Sequence, residues 1–190
     1  MISGKSLYVI VSDYRHGTTT LCDVAARTDD VGCLYEAFNN GGLFYDIDTG
    51  ADFVNQMKIR IESTGWLSDK SIIVLKVFKR DWKYLHKLVS ADVIDSVIFL
   101  RRCVSDSYDS YVRAMTTGDW SGNPDLRARG LGITEYKKPV ELIESYSQYK
   151  KSISNWFSAS SQYVVNANIP SYEVWFKEVI SPKFKFIDII

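Results

Sequence analysis

The stretch Val9-Ile-Val-Ser-Asp-Tyr-Arg-His-Gly-Thr-Thr-Thr-Leu21 constrains the fold more than any other. The apolar run from Leu7 to Val11 reads as a buried strand, and a helical pattern takes over by about Leu21. Between them lies a turn with Arg15, Gly17 and the consecutive threonines Thr18, Thr19 and Thr20. Strand, glycine turn and helix start together form an anion site. The first N–H groups of a helix have no intrahelical partner, and the helix dipole places partial positive charge there. Gly17 lets the backbone approach a ligand closely, the threonine hydroxyls add donors, and Arg15 adds a fixed cationic fork. A Thr-rich helix cap without a ligand would carry the same residues.

The rest of the chain repeats the alternation. Strands are expected at 6–12, 31–36, 71–78 and 96–101, and helices at 18–27, 51–63, 80–90 and 105–117. Glu141 to about Ser161 reads as a long helix, and Tyr172 to Phe176 alternates like a last strand. Alternating strands and helices imply an α/β fold: a parallel sheet flanked by helices in three layers, with right-handed crossovers. At 190 residues, 46% hydrophobic and 24% charged, one domain over 1–190 is expected. The longest irregular stretch is 118–139, rich in glycine with Pro124 and Pro139, a length usual for functional lids.

Net charge is zero, which argues against nucleic acid or an anionic membrane surface as the main partner. A small anionic ligand needs only a local positive pocket. Cys22, Cys33 and Cys103 have no metal-ligand spacing and are too scattered for a disulfide scaffold. Reduced thiols in a cytoplasmic protein are the simplest reading. No signal peptide is apparent, and no stretch approaches the roughly 20 apolar residues of a membrane span.

The turn is not the common nucleotide loop. That pattern needs G-x-x-x-x-G-K-[ST], and Gly17 has neither an earlier glycine partner nor a following lysine. ATP or GTP chemistry, and a small P-loop kinase, are disfavoured. A second segment points elsewhere. Ser96-Val-Ile-Phe-Leu100 is another short apolar run and ends in Arg101-Arg102. Arg102 thus stands where open α/β sheets place their ligands, at a strand's C-terminal end. Ser110 lies eight residues on, inside the next helical pattern. An Arg and a Ser so placed can grip one phosphate from two sides.

These residues resemble the sulfotransferases that use 3′-phosphoadenylyl sulfate, in particular the branch with bacterial carbohydrate and nodulation-factor sulfotransferases. The first motif of that family, [RK]-[ST]-G-[ST]-[ST]-x-L after a strand, is similar to Arg15-His16-Gly17-Thr18-Thr19-Thr20-Leu21. Its Arg-to-Ser spacing is met by Arg102 and Ser110. Ala114-Met-Thr-Thr-Gly-Asp-Trp120 resembles an A-x-x-T-G-x-W tail, and Tyr35-Glu36-Ala-Phe-Asn39 a G-E-x-F-N segment. Val74-Leu-Lys76-Val-Phe78 resembles a G-F-K-L strand, and Glu173-Val-Trp-Phe-Lys-Glu178 weakly a Y-E-D-L motif. The segments run in family order over most of residues 5–180.

The resemblance implies a P-loop-like sulfotransferase architecture and transfer of a sulfuryl group to a hydroxyl of a carbohydrate or small-molecule acceptor. The donor would leave as adenosine 3′,5′-bisphosphate, with no metal required. Arg15, with His16 and Gly17 to Thr20, would hold the 5′-phosphosulfate; Arg102 and Ser110 would hold the 3′-phosphate. Glu36 would be the general base, and Lys76 would pair with it or meet the leaving phosphate. His16 departs from the usual Ser or Thr, and Lys177 stands where the late motif has an acid. The end at Ile190 leaves little room for the segment that closes over the donor in this family. A lid from 118–139 or from a second copy in a homo-oligomer would then serve. The alternative is a non-catalytic protein of the same fold that binds a 3′,5′-bisphosphorylated adenine nucleotide.

Overall fold

The structure, a computed structural model, describes residues 1–120 and 137–175. Five parallel strands form one sheet: β1 (Ser6–Ser12), β2 (Val31–Leu34), β3 (Ile72–Phe78), β4 (Ser96–Arg101) and β5 (Ser171–Trp175). Their order across the sheet is β2-β3-β1-β4-β5. β1 is therefore central. Ser6 pairs with Ile72 on one side, and Tyr8 with Ser96 on the other. The α-helices of the described residues are α1 (Thr18–Ala25), α2 (Phe53–Ser63), α3 (Trp82–Ser90), α4 (Val104–Thr117) and α5 (Tyr146–Asn166).

Side-chain alternation along each strand divides the core in two. Leu7, Val9 and Val11 of β1 join residues of α2, α3 and α5 in the larger cluster. Ile10 faces the other way and packs with Val74, Ile98 and the α1 residues Leu21, Cys22 and Ala25. Helices thus cover both faces of a parallel sheet whose central strand leads through a glycine turn into α1. This is an α/β architecture in three layers. Among the described residues, no helix is long and apolar enough to cross a membrane.

Most expected elements lie where the sequence places them, and the differences have local causes. β2 stops at Leu34 rather than 36, so Tyr35 and Glu36 fall in the turn beyond the strand. The segment 79–81 forms a separate 3₁₀ turn before α3, because the Asp81 carboxylate accepts the Phe78 N–H and caps that turn. The long helix begins at Tyr146 instead of Glu141. Pro139 is followed by a short 3₁₀ turn at Val140–Leu142, and Ser145 with Gln148 forms a capping box that fixes the true start. Ser-x-x-Gln was the overlooked signal. α5 then runs past Ser161 to Asn166, because Ser160 and Val164 continue its buried stripe. α4 starts at Val104, one residue earlier than expected, and no side chain caps it. Most of the expected 118–139 lid, and Lys177, lie outside the described residues.

Candidate active site

A cleft of about 1910 Å³ opens at the C-terminal ends of β1, β3 and β4. Its floor is the turn between β1 and α1. Gly17 adopts φ 86°, a left-handed conformation that suits glycine, and its carbonyl accepts the Leu21 N–H at 3.1 Å to begin α1. No side chain caps this helix start, so the exposed end of the dipole faces the cleft with Thr18, Thr19 and Thr20. Arg15 also has positive φ, 67°, which is costly for a residue with a Cβ.

The turn is pinned from behind. The Trp156 indole donates to the Ser12 carbonyl at 3.2 Å, and the Tyr149 hydroxyl reaches the Tyr14 carbonyl at 3.5 Å. Ser12 Oγ donates to the Leu100 carbonyl at 3.2 Å, tying β1 to β4. α5 therefore buttresses the turn, a role that no local motif in the sequence announces.

Lys76 shows how the sheet sets function. Ile72 and Val74 point toward α1, so two-residue alternation sends Lys76 to the same face at the strand's end. Its side chain is 2% exposed. The ammonium lies 3.5 Å from Thr19 Oγ1 and about equally far, 5.5 and 5.4 Å, from the ring centres of Tyr35 and Phe78. Among the described residues it has no carboxylate partner. A buried cation held only by ring faces and one hydroxyl is costly unless an anion completes it. The turn and Lys76 together present a site for negative charge.

Arg15 lies elsewhere than the motif alone implies. Its guanidinium runs to α4, where Nε donates to Ser110 Oγ at 2.8 Å and a terminal nitrogen donates to the Trp120 carbonyl at 2.6 Å. Arg102 donates to the Arg15 carbonyl at 3.3 Å. Arg15, Arg102 and Ser110 are thus linked as one cationic position, while Lys76 contacts Thr19 and the rings of Tyr35 and Phe78. Burial first, then the charges of Arg113 and Arg102, push the Arg15 pKa downward. An arginine stays charged regardless, so its burial beside two like charges is a cost that a nearby anion would offset. Arg113 lines the same cleft and was missed in the sequence; it sits three residues after Ser110, hence on the same helix face.

His16 does not reach the cleft. Its ring is 1% exposed, packs on Phe157, and accepts the Arg102 N–H at Nδ1 at 3.2 Å. Burial, then the neighbouring Arg102 charge, lower its pKa to about 4. A neutral histidine so placed fastens the turn to the end of β4 instead of holding a ligand. The ring fills space between β4 and α5.

Glu36 lines the cleft beyond β2, with its side chain about half exposed. Its carboxylate lies 3.6 Å from Arg80 and accepts a hydrogen bond from the Asn39 amide. It pairs with Arg80, not with Lys76. Arg80 is a second residue missed in the sequence. Its guanidinium also meets Asp81 at 3.3 Å and stacks over Tyr14 and Phe78. Phe38 anchors the segment by stacking on Tyr84, and a Cβ on Gly42 would strike the Glu36 and Ala37 carbonyls, so that turn requires glycine. The A-x-x-T-G-x-W tail has a visible task. Gly118, at φ 75°, ends α4, and Trp120 then packs edge-on against Tyr14 and Tyr111. Asp13, also unforeseen, is a buried cleft carboxyl whose pKa is raised by burial despite the Tyr14 N–H it accepts at 2.7 Å.

No protein-family model and no curated protein matches this sequence. Among solved structures the chain is similar to a deoxyadenosine kinase from M. mycoides with bound dCTP. The two are 13% identical, the match spans 96% of this chain and 97% of that one, and the TM-score is 0.45.

Proposed function

We propose that this chain moves a sulfuryl group from 3′-phosphoadenylyl sulfate to a hydroxyl of a carbohydrate or small-molecule acceptor. One observation carries the reading: the cleft is lined by two cationic groups with different partners. Lys76 with the Thr18–Thr20 turn makes one. Arg15 with Arg102 and Ser110 makes the other. A donor with a phosphosulfate on its 5′ side and a phosphate on its 3′ side has two anionic groups to match them. The 3′ position then includes Arg15, and the 5′ position belongs to the helix start and Lys76.

In the transfer, the acceptor oxygen forms a bond to sulfur while the bond from sulfur to the bridging oxygen breaks. The acceptor proton passes to Glu36, and the leaving 5′-phosphate gains the negative charge. Lys76 and the free N–H groups of α1 stand where that charge develops, which is where fixed donors accelerate a reaction most. A positioned carboxylate base contributes about 10²–10⁴-fold.

A non-catalytic nucleotide-binding protein is the second reading. The observation favouring it is that Glu36 is already engaged by Arg80 and Asn39. Two measurements separate the readings. Calorimetry should show adenosine 3′,5′-bisphosphate binding far more tightly than 5′-AMP, with Arg102→Ala removing most of the difference, on the order of 1.5–3 kcal/mol. Equal affinity for the two nucleotides overturns both readings. Incubation with sulfur-labelled donor and a panel of sugars and phenols then distinguishes transfer from binding alone.

A further inference from the structure

We infer that Arg113 completes the 3′-phosphate position and sets its demand for a dianionic monoester. This rests on the donor reading above. Arg113 lies one turn beyond Ser110 on α4 and lines the same cleft. Ser110 accepts from Arg15, whose backbone carbonyl accepts from Arg102. Three guanidinium groups therefore converge from two loops and a helix on one part of the cleft.

Among the described residues, the Arg113 guanidinium makes no hydrogen bond or ion pair of its own. Arg15 uses two of its nitrogens on Ser110 and the Trp120 carbonyl, which leaves it oriented but partly spent as a donor. Arg113 carries the uncommitted fork. The Arg15 pKa is lowered first by burial and then by the charges of Arg113 and Arg102, in that order. A single negative charge leaves three cations in net repulsion, whereas a phosphate monoester brings close to two charges and three acceptor oxygens. The position thus discriminates by charge number: a ribose hydroxyl gains nothing there, and a monoester gains from all three arginines. Two sources supply that chemistry, a nucleotide 3′-phosphate and free inorganic phosphate.

The test uses Arg113→Ala in the full chain, with Arg113→Lys beside it. Arg113 is exposed at its helix surface, so neither change should disturb folding. Calorimetry at two salt concentrations measures adenosine 3′,5′-bisphosphate, 3′-AMP, 5′-AMP and inorganic phosphate. The expected result is a loss on the order of tenfold for both 3′-phosphorylated nucleotides in Arg113→Ala. Affinity for 5′-AMP should stay within about twofold, and the salt dependence of bisphosphate binding should flatten. Arg113→Lys should recover part of the loss, because a point charge replaces the fork. Inorganic phosphate competing as strongly as 3′-AMP would overturn the nucleotide source. A parent that prefers the bisphosphate, with an Arg113→Ala variant that keeps the full preference and salt slope, overturns the role of Arg113 alone. A parent without that preference overturns the donor reading and this inference together.

Discussion

Protonating His16 places a charge in a buried contact between the anion turn and β4. Its pKa near 4 lies below the ordinary 6.5, so the unfolded chain binds the proton that the folded one refuses. The sign follows: this stabilisation is complete above about pH 6.5 and is lost as pH falls toward 4. By pH 5 the loss is roughly 2 kcal/mol. Denaturant titrations of the parent and His16→Gln at pH 7.5 and 5 measure it, and the variant should lose less on acidification. A parent with the same pH slope as the variant would contradict it. Glu36 is tested by chemistry. In Glu36→Gln the nucleotide should bind as in the parent while transfer falls by about 10²–10⁴-fold. An active parent whose variant keeps full rate keeps the enzyme reading but removes Glu36 from the mechanism.

At the scale of elements, the turn that carries Glu36 depends on a glycine with no room for a side chain. Gly42→Ala should push the backbone of Glu36 and Ala37 apart from it, weakening transfer while leaving bisphosphate binding at Arg15 and Arg102 near the parent value. Equal losses in both measurements would mean that the whole fold has suffered. This turn also shows where sequence reading stopped. The strands, the glycine turn, Lys76 and the Arg102–Ser110 spacing were legible because each is encoded within a few residues by periodicity or a local motif. Arg80, Arg113 and Asp13 were not, because their roles arise from which elements meet. Arg80 matters through rings contributed by the β1 turn and β3, and Arg113 through a turn far away in sequence. The path of the Arg15 side chain was misjudged for the same reason: the motif places its Cα, whereas α4 decides where its guanidinium goes.

Across the whole molecule, strand–helix alternation implied a parallel sheet, whereas the strand order and the central position of β1 are properties of the folded chain. Several permutations bury the same apolar runs, and no single residue chooses among them. The order β2-β3-β1-β4-β5 has a consequence for how the protein is made. Translation delivers β1 first, but its hydrogen-bonding neighbours begin at Ile72 and Ser96. The strand that leads into the anion turn therefore leaves the ribosome with both edges open, and it must wait for distant chain to arrive. Pairings of such long sequence separation form late, after loop closure has cost its entropy. A chain halted before β4 should consequently bind no bisphosphate, even with the complete Arg15–Leu21 motif present, and release of the remaining residues should restore binding in a single cooperative step. Pulse proteolysis of stalled chains of increasing length reads this directly. Graded protection of β1 ahead of β4 would show instead that the turn assembles on its own. On this account the anion turn works only after strands made long after it have arrived, although it precedes them in the chain.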